Sequence, residues 1–237
     1  MSDFVMIHGA WHGGWCWYRV QAALERAGHR VDAPDLASLG RDRTPPETVS
    51  LALWADQIAA RIAERPEPVI LVGHSLGGAV LSEVAERVPE RIRTLVYVAA
   101  YLLEDGRSVR EEAALDEDSR IGAAMVISAD RRTASLRTDG LREILYGECS
   151  DEDFALARSL LVPQPLAPFA TPIRVSATRF GRVPRCYVEC ARDRTIGLRA
   201  QRRMQAATPC ARRLTLESDH SPFLSQPMAL AGVLADL

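Results

Sequence analysis

The sequence predicts an α/β fold with a mostly parallel central sheet, on three observations. Short apolar runs alternate with segments whose apolar residues recur every three or four positions, as in βα units. Several of the runs are apolar on both faces, as is typical of strands covered by helices on both sides. This alternation of strand-like and helix-like segments is interrupted once, between residues 103 and 183. With 237 residues, 47% of them hydrophobic, the chain is large enough to bury a full core.

The predicted elements follow in order along the chain. Strands are expected where four to six residues are apolar and rich in β-branched or aromatic side chains, at residues 4–7, 30–33, 69–72, 94–99, 186–189 and 213–216. Helices are expected where charges lie opposite an apolar stripe, at residues 18–27, 51–63, 79–87, 198–206 and 228–237. Strands separated by helices pair in parallel, because the crossover returns the chain to the same end of the sheet.

Residues 103–183 are predicted to form an insertion. The segment is charged at its start, contains the proline cluster VPQPLAPFATP, and is too long for a simple loop. Residues 151–161 are predicted to be helical, with Phe154, Leu156, Leu160 and Leu161 on one face. We therefore expect a mainly helical cap at 103–183, inserted before the last two strands, over a core formed by 1–102 and 184–237.

Composition excludes several classes of function. The net charge of -2 provides no basic field for nucleic acid or a membrane surface. No signal peptide or span of about 20 apolar residues is evident, so a cytoplasmic protein is expected. The five cysteines have no zinc-ligand spacing and are interpreted as free thiols. All 29 basic residues are arginine, which excludes Schiff-base and P-loop lysine chemistry.

The stretch VILVGHSLGG, residues 69–78, is the strongest motif. An apolar strand is followed at once by Gly73-His74-Ser75-Leu76-Gly77 and then by a helix. Glycines on both sides of Ser75 permit a sharp turn that exposes the hydroxyl above the sheet. The pattern predicts a nucleophile elbow with Ser75 as the nucleophile.

A serine nucleophile needs a base, which in this architecture follows it in the order serine, acid, histidine. Of the five histidines, only His220 follows the last predicted strand, where a loop carries it to the carboxyl edge of the sheet. His29 is expected to be solvated and His74 to pack beside the elbow. His220 is therefore the predicted general base.

The orienting carboxylate is predicted to follow the preceding strand, where Asp193 lies. Asp219 is adjacent to His220, and Glu104 and Asp105 follow the strand before the cap, so these remain alternatives. Asp35 is interpreted as a structural hydrogen-bond acceptor. Asp193 is favoured because neighbouring loop residues such as Asp219 and His220 seldom face each other.

The glycine-rich loop HGAWHGGW, residues 8–15, is the predicted oxyanion site. The backbone N–H of Ala10 would converge there with that of Leu76 at the start of the elbow helix. The same glycines also suit a tight strand-to-helix turn, and the two interpretations are compatible.

Taken together, HGAWHGGWCW, GHSLGG, ECARDRTI and SDHSPFLSQP resemble, in order over nearly the whole chain, the α/β-hydrolase superfamily. The similarity is to the plant methylesterase and hydroxynitrile lyase group with its bacterial esterase relatives, and it is weakest in the cap. It implies Ser75, Asp193 and His220 as a catalytic triad, Ala10 and Leu76 as oxyanion donors, and no cofactor or metal.

Two departures from that group restrict the chemistry. Its hydroxynitrile lyases carry a lysine after the catalytic histidine and a threonine at the position of Ala10, whereas here Ser221 follows His220. Cyanide elimination by that route is therefore not expected. Related dehalogenases and epoxide hydrolases need an aspartate at the elbow, where this chain has Ser75.

The function expected from the sequence is a carboxylesterase that forms an acyl-enzyme on Ser75. The motif loops lack cationic clusters, which favours a small, uncharged ester such as an aromatic or methyl ester. The residues expected to contact this substrate are apolar: Trp11, Leu102, Phe154, Leu160 and Phe223. Hydrolysis of an amide, lactone, thioester or carbamate, a C–C bond lyase, and a non-catalytic small-molecule binder remain alternatives. The sequence leaves open whether the chain forms a homodimer.

Overall fold

The computed structural model describes all 237 residues as two sheets and their helices. The strands are β1 (Asp3–Ile7), β2 (Arg30–Asp32), β3 (Val69–His74), β4 (Ile92–Val98), β5 (Met125–Ile127), β6 (Thr133–Leu136), β7 (Gln164–Pro165), β8 (Arg185–Cys190) and β9 (Arg212–Leu216). The helices are α1 (Tyr18–Arg26), α2 (Leu51–Ala63), α3 (Gly77–Arg87), α4 (Val109–Ala113), α5 (Ile121–Ala124), α6 (Leu141–Leu145), α7 (Asp151–Leu160), α8 (Ala167–Ala170), α9 (Leu198–Ala207), α10 (Pro222–Ser225) and α11 (Pro227–Ala235).

The central sheet has six strands in the order β2-β1-β3-β4-β8-β9, all parallel. Every residue of β1 and β3 is buried, because helices cover both faces of a parallel sheet. All six strands predicted from the sequence are present, with ends that differ by no more than two residues. The predicted α/β-hydrolase fold is confirmed.

The helices of the core begin and pack as their sequences dictate. Ser50 caps α2 by accepting a hydrogen bond from the backbone N–H of Leu53 at 3.0 Å. Helix α3 is buried over most of its length, because it follows the central strand β3 directly. It packs against α2, while α1 packs against α11. This rigid frame fixes where the β3–α3 turn lies.

The segment between β4 and β8 contains five short helices and a small sheet that the sequence analysis missed. Strands β5, β6 and β7 form a three-stranded antiparallel sheet beside these helices. Strands of two to four residues are too short to show a period-two pattern. Val126 and Ile127 in β5 are also both about half exposed, so the strand does not show one buried and one exposed face.

Helix α7 lies where it was predicted but buries a different face. Asp153 and Ala157 are buried, whereas Leu156 and Leu160 are 40% and 37% exposed. The buried carboxylate of Asp153 accepts hydrogen bonds from the Tyr18 hydroxyl at 3.0 Å and from Arg19 at 2.8 Å. This polar contact with α1 decides the orientation of the helix, and a hydrophobic pattern cannot predict it.

The inserted segment is fastened to the loop that follows β1. The Trp11 N–H donates to Gln164 Oε1 at 3.1 Å, and its indole N–H donates to the carbonyl of Ala134 at 2.8 Å. The Val162 N–H in turn donates to the Trp11 carbonyl at 3.0 Å. The segment therefore lies against the carboxyl edge of the parallel sheet. None of the helices has the length and apolar composition to cross a bilayer.

Candidate active site

Ser75 lies in a sharp turn between β3 and α3. Its φ of 52° is in the left-handed region, which non-glycine residues rarely adopt. A Cβ atom at Gly73 would come within 2.4 Å of the Leu81 side chain, and one at Gly77 within 2.9 Å of the carbonyl of His8. Only glycine fits at these two places, so the motif is required by close packing on both sides of the serine.

Hydrogen bonds hold the Ser75 backbone to the end of β4. Its N–H donates to Val98 at 3.3 Å, and its carbonyl accepts from the N–H groups of Gly78 and Tyr101, both at 3.0 Å. A strained turn persists only where the surrounding structure holds it in place, and these three hydrogen bonds hold the backbone of Ser75. Ser75 is 6% exposed and lines a cavity.

His220 and Asp193 are brought together from the loops after β9 and β8. The ring Nδ1 of His220 lies 2.7 Å from Asp193 Oδ2, and both side chains are buried. Asp193 Oδ1 accepts the backbone N–H groups of Thr195 at 2.7 Å and Ile196 at 2.9 Å. The carboxylate is thus fixed in orientation, and because it accepts, Nδ1 carries the proton and leaves Nε2 free to accept another.

No hydrogen bond joins the Ser75 hydroxyl to the His220 ring in this structure. Such contacts often reach their working length only when a substrate binds.

None of the three alternative acids serves His220, and two of them have other partners. The Asp219 carboxylate accepts from the backbone of Glu148 at 2.9 Å and from the Ser225 hydroxyl at 2.7 Å. Asp105 accepts from the Val175 N–H at 2.9 Å, and Glu104 is exposed. None of them bonds to the His220 ring. Asp35 is a structural acceptor, as expected, since it binds the N–H groups of Gly14 and Arg41 at 2.7 and 3.0 Å.

His74 supports the backbone of His220. Its Nε2–H donates to the His220 carbonyl at 2.8 Å, and the two ring centroids are 4.5 Å apart. Phe223 packs edge-on against the His74 ring at 4.9 Å. Burial lowers the pKa of His74 well below the ordinary histidine value, so the ring is neutral. His29 is half-buried at the α1–β2 junction and accepts from the Ser2 N–H at 3.3 Å.

Two backbone N–H groups beside Ser75 have no acceptor within the protein. They belong to Ala10 in the β1–α1 loop and to Leu76 at the start of α3. The loop approaches the elbow closely, since a Cβ at Gly9 would lie 2.9 Å from the Cβ of Ser75. Ala10 lines the same cavity as Ser75. Two unpaired donors at this position suit a negatively charged oxygen.

Two buried histidines hold the loop that carries Ala10. His8 Nδ1 donates to the Gly9 carbonyl at 2.8 Å and its Nε2 accepts from the Leu36 N–H at 3.1 Å. His12 Nδ1 donates to the Ala10 carbonyl at 2.7 Å, and its Nε2 accepts from the Tyr146 hydroxyl at 2.7 Å. Burial lowers the pKa of both rings, that of His12 to about 3, so each is neutral and can donate and accept at once.

The cavity at Ser75 has a volume of about 760 Å³, which suits a small organic molecule. Eleven of its eighteen lining residues are hydrophobic. Its apolar wall comes from the β1–α1 loop and from the inserted segment, and includes Trp11, Ile121, Met125, Ile127, Leu166 and Phe169.

Of the five side chains expected to contact substrate, only Trp11 lines this cavity. Leu102 and Phe223 are fully buried, and Phe223 packs on His74. Phe154 stacks against Tyr146 and the arginines beside it, and Leu160 is partly exposed on α7. Phe154 and Leu160 lie outside the cavity because α7 buries its Asp153 side, and Leu102 and Phe223 lie outside it because they are packed in the core.

The sequence analysis missed most of the cavity lining, including Tyr101, Phe169 and Thr195. It also missed three arginines, Arg110, Arg131 and Arg132, which lie outside the motif loops. The one sequence signal for the hairpin that carries two of them is a β-branched pair, Val126-Ile127, followed six residues later by Thr133. Such a signal is weak because strand runs this short are common by chance.

Comparison with known proteins agrees with the fold. Residues 4–233 match the alpha/beta hydrolase family. The chain is 31% identical to methylesterase 18 of Arabidopsis thaliana over 96% of this chain and 93% of that protein. It is also 31% identical to the putative chloroplastic methylesterase 11 of the same plant, over 100% of this chain, but spans only 64% of that protein's length.

Among solved structures, a pyrethroid hydrolase from Sphingobium faniae superimposes with a TM-score of 0.87 at 29% identity, over 99% of this chain and 96% of that one. The match to the family covers nearly the whole chain and includes the elbow and both loops that carry Asp193 and His220. The chain belongs to the alpha/beta hydrolase family.

Proposed function

We propose that the protein is a serine esterase in which Ser75, His220 and Asp193 form the catalytic triad and Ala10 and Leu76 provide the oxyanion donors. The observation that carries this proposal is the 2.7 Å hydrogen bond between buried His220 and Asp193, at the edge of the sheet where Ser75 occupies a strained turn. A buried carboxylate that orients a neutral imidazole is the arrangement that activates a serine hydroxyl.

Each group has one step in the proposed reaction. The Ser75 Oγ attacks the ester carbonyl carbon while His220 Nε2 accepts the hydroxyl proton. The carbonyl oxygen becomes an oxyanion and is bound by the N–H groups of Ala10 and Leu76. His220 then returns its proton to the leaving alkoxide, which departs as the alcohol. Water, deprotonated by the same imidazole, cleaves the acyl-enzyme and releases the carboxylic acid.

The substrate we propose is a small methyl ester. Two observations support it. The relatives in Arabidopsis thaliana are methylesterases. The cavity volume of about 760 Å³ leaves room for an acyl group beside Ser75. The apolar wall at Trp11, Met125 and Phe169 suits an apolar acyl chain or ring.

The test is hydrolysis of short-chain and aromatic methyl esters by the wild type and by Ser75→Ala, combined with mass spectrometry after a serine-reactive phosphonate. We expect the variant to lose activity by a factor of about 10³ or more, because it lacks the hydroxyl that would form the acyl-enzyme. The phosphonate adduct is expected on the peptide that contains Ser75.

Ser221→Ala is the matched control. Ser221 is a buried serine next to His220 whose hydroxyl has no hydrogen-bond partner, so it is the nearest alternative site of labelling. An adduct that stays in Ser75→Ala and disappears in Ser221→Ala would refute the assignment of the nucleophile. Folded wild type with neither turnover nor adduct would instead favour the non-catalytic binder.

We further propose that residues 103–183 act as a cap that shapes this cavity, and that the enzyme works in the cytoplasm on a small molecule. The five free cysteines support a reducing compartment. The homodimer that the sequence leaves open is not part of the proposal.

A further inference from the structure

Most of the charged residues that line the cavity are positive. Arg110 in α4 and Arg131 and Arg132 in the β5–β6 turn line it, together with a single acid, Glu47. Glu47 lies 3.9 Å from Arg132, and its negative charge compensates the positive charge of that arginine. Neither Arg110 nor Arg131 forms a salt bridge, and both are exposed. Two unpaired guanidinium groups therefore belong to the same cavity as Ser75.

The acids next to these arginines along the chain are held by their own turns. Glu111 accepts the N–H of Ser108 at 2.8 Å and its hydroxyl at 2.7 Å, as the capping box of α4. Asp130 accepts the Ser128 hydroxyl at 2.6 Å and the Arg132 N–H at 3.1 Å. Both carboxylates keep their negative charge and Glu111 attracts Arg110 electrostatically, but neither forms a salt bridge with Arg110 or Arg131.

Arg131 also occupies a position that favours glycine. Its φ is 58°, in the left-handed region, at the end of a tight turn closed by its N–H to the Ser128 carbonyl at 2.9 Å. Hairpin turns of this kind usually place glycine or asparagine there. A long cationic side chain at such a position is unfavourable for the backbone, and strain of this type concentrates where a residue binds a ligand.

We propose that the esters preferred by this enzyme carry an anionic group, and that Arg110 and Arg131 bind it at the solvent side of the cavity. The substrate class is a methyl half-ester of a dicarboxylic acid, whose ester carbonyl lies at buried Ser75 and whose free carboxylate lies at the exposed arginines. A guanidinium matches a carboxylate with two parallel N–H donors. This inference rests on the proposed esterase function and specifies that the substrate is negatively charged. The motif loops alone favoured an uncharged substrate.

The experiment compares kcat/KM for matched pairs of substrates: the monomethyl and dimethyl esters of adipic acid and of terephthalic acid. The quantity of interest is the monomethyl-to-dimethyl ratio within each protein, so a general change in catalysis cancels. We expect a ratio of roughly tenfold in the wild type, falling by about fivefold in Arg131→Gly and in Arg110→Gln, because exposed ion pairs contribute at this level. About 0.5 M salt is expected to lower the wild-type ratio by screening.

Arg26→Gln is the control, because Arg26 is an exposed arginine on α1 with no salt bridge and lies outside the cavity. Its ratio is expected to equal that of the wild type. Arg131→Gly is expected to unfold at the same or a higher temperature, since glycine suits the left-handed position. Arg131→Asn provides a second variant that tolerates the same conformation and removes the charge.

A wild-type ratio near one, or a preference for the half-ester that Arg110→Gln and Arg131→Gly leave unchanged, would overturn the proposal while leaving the esterase function intact. Folded protein that hydrolyses neither ester of either pair, and is not labelled at Ser75, would overturn both.

Discussion

The peptide bond between Gly9 and Ala10 shows how one buried histidine can position the N–H group that we propose as an oxyanion donor. The bond is planar and trans, so the Gly9 carbonyl and the Ala10 N–H point in opposite directions. His8 Nδ1 fixes the carbonyl at 2.8 Å, and the Leu36 N–H fixes His8 from its other side. The direction of the Ala10 N–H is therefore set by His8, which itself does not line the cavity.

His8→Phe is expected to lower kcat by about 10- to 100-fold with little change in KM, because the donor is needed only when the oxyanion forms. The phenyl ring is somewhat larger than the imidazole and removes both hydrogen bonds. His29→Phe serves as the control, since His29 is half-buried at a site remote from the cavity. If His8→Phe instead lowers the thermal stability and changes both kcat and KM, His8 has only a structural role.

At the residue scale, the sequence predicted most where chain order restricts the choice. Ser75 follows from its two glycines and His220 from its place after the last strand, and the structure brings His220 and Asp193 to hydrogen-bonding distance. Leu102 and Phe223 were assigned to the cavity on hydrophobicity alone, which does not distinguish a core residue from a lining residue. Both are fully buried.

Among the elements, β8, β9 and α9 are joined by a buried charge. Glu189 in β8 is inaccessible to solvent and accepts hydrogen bonds from Thr215 in β9 at 2.8 Å and from Gln205 in α9 at 3.0 Å. Arg202 in α9 completes its surroundings at 3.2 Å. Burial alone would raise the pKa of the carboxyl, but these hydrogen bonds outweigh burial and lower it.

Glu189→Ala is expected to lower the free energy of unfolding by about 3 kcal/mol, since it leaves arginine and amide donors without their buried acceptor. Because the folded pKa is depressed, the stabilisation is present above the ordinary glutamate pKa of about 4.3 and is lost as the pH falls through the lower folded value. Denaturant titrations from neutral to acidic pH measure both effects.

Glu143→Ala is the matched control for this experiment. Glu143 pairs with Arg120 and Arg194 on the surface, with more than half of its side chain exposed, and is expected to contribute less than about 1 kcal/mol. Equal losses in the two variants would contradict a special role for the buried carboxylate.

The elements of the core could be predicted because each is long enough to show its period. Helix α2, for example, begins and ends at the predicted residues. The β5-β6-β7 sheet could not be predicted, since its strands are two to four residues long and two of its residues, Ala134 and Gln164, are held by hydrogen bonds from the distant Trp11. Arg131 and Arg132, in the turn between β5 and β6, were missed for the same reason.

Considered as a whole, the molecule keeps all its thiols protected. The five cysteines form no disulfide, and burial raises the pKa of each, that of Cys210 to about 11 and those of Cys16 and Cys190 far more. The thiolate is the reactive form, so a raised pKa slows alkylation.

Native protein is therefore expected to resist iodoacetamide at about pH 8 and to keep its activity, because a thiol of pKa near 11 is only about 0.1% ionised there. As the pH rises, Cys210, which is half-buried, is expected to react first. In guanidinium all five are expected to react, as counted by mass spectrometry. Rapid labelling of Cys16 or Cys190 in the native protein would contradict the described burial.

The order of strands in the central sheet also has a consequence for how the chain reaches this structure. Strand β3 pairs with β4 across residues 75–91 and with β1 across residues 8–68, whereas β4 pairs with β8 across the longer stretch of residues 99–184. Closing so large a loop has an entropic cost before any contact is gained, and folding slows as contacts become less local. We expect the half of the sheet that carries Ser75 to assemble first. The half that carries Asp193 and His220 would join it later, so recovery of activity after dilution from denaturant would lag behind recovery of secondary structure.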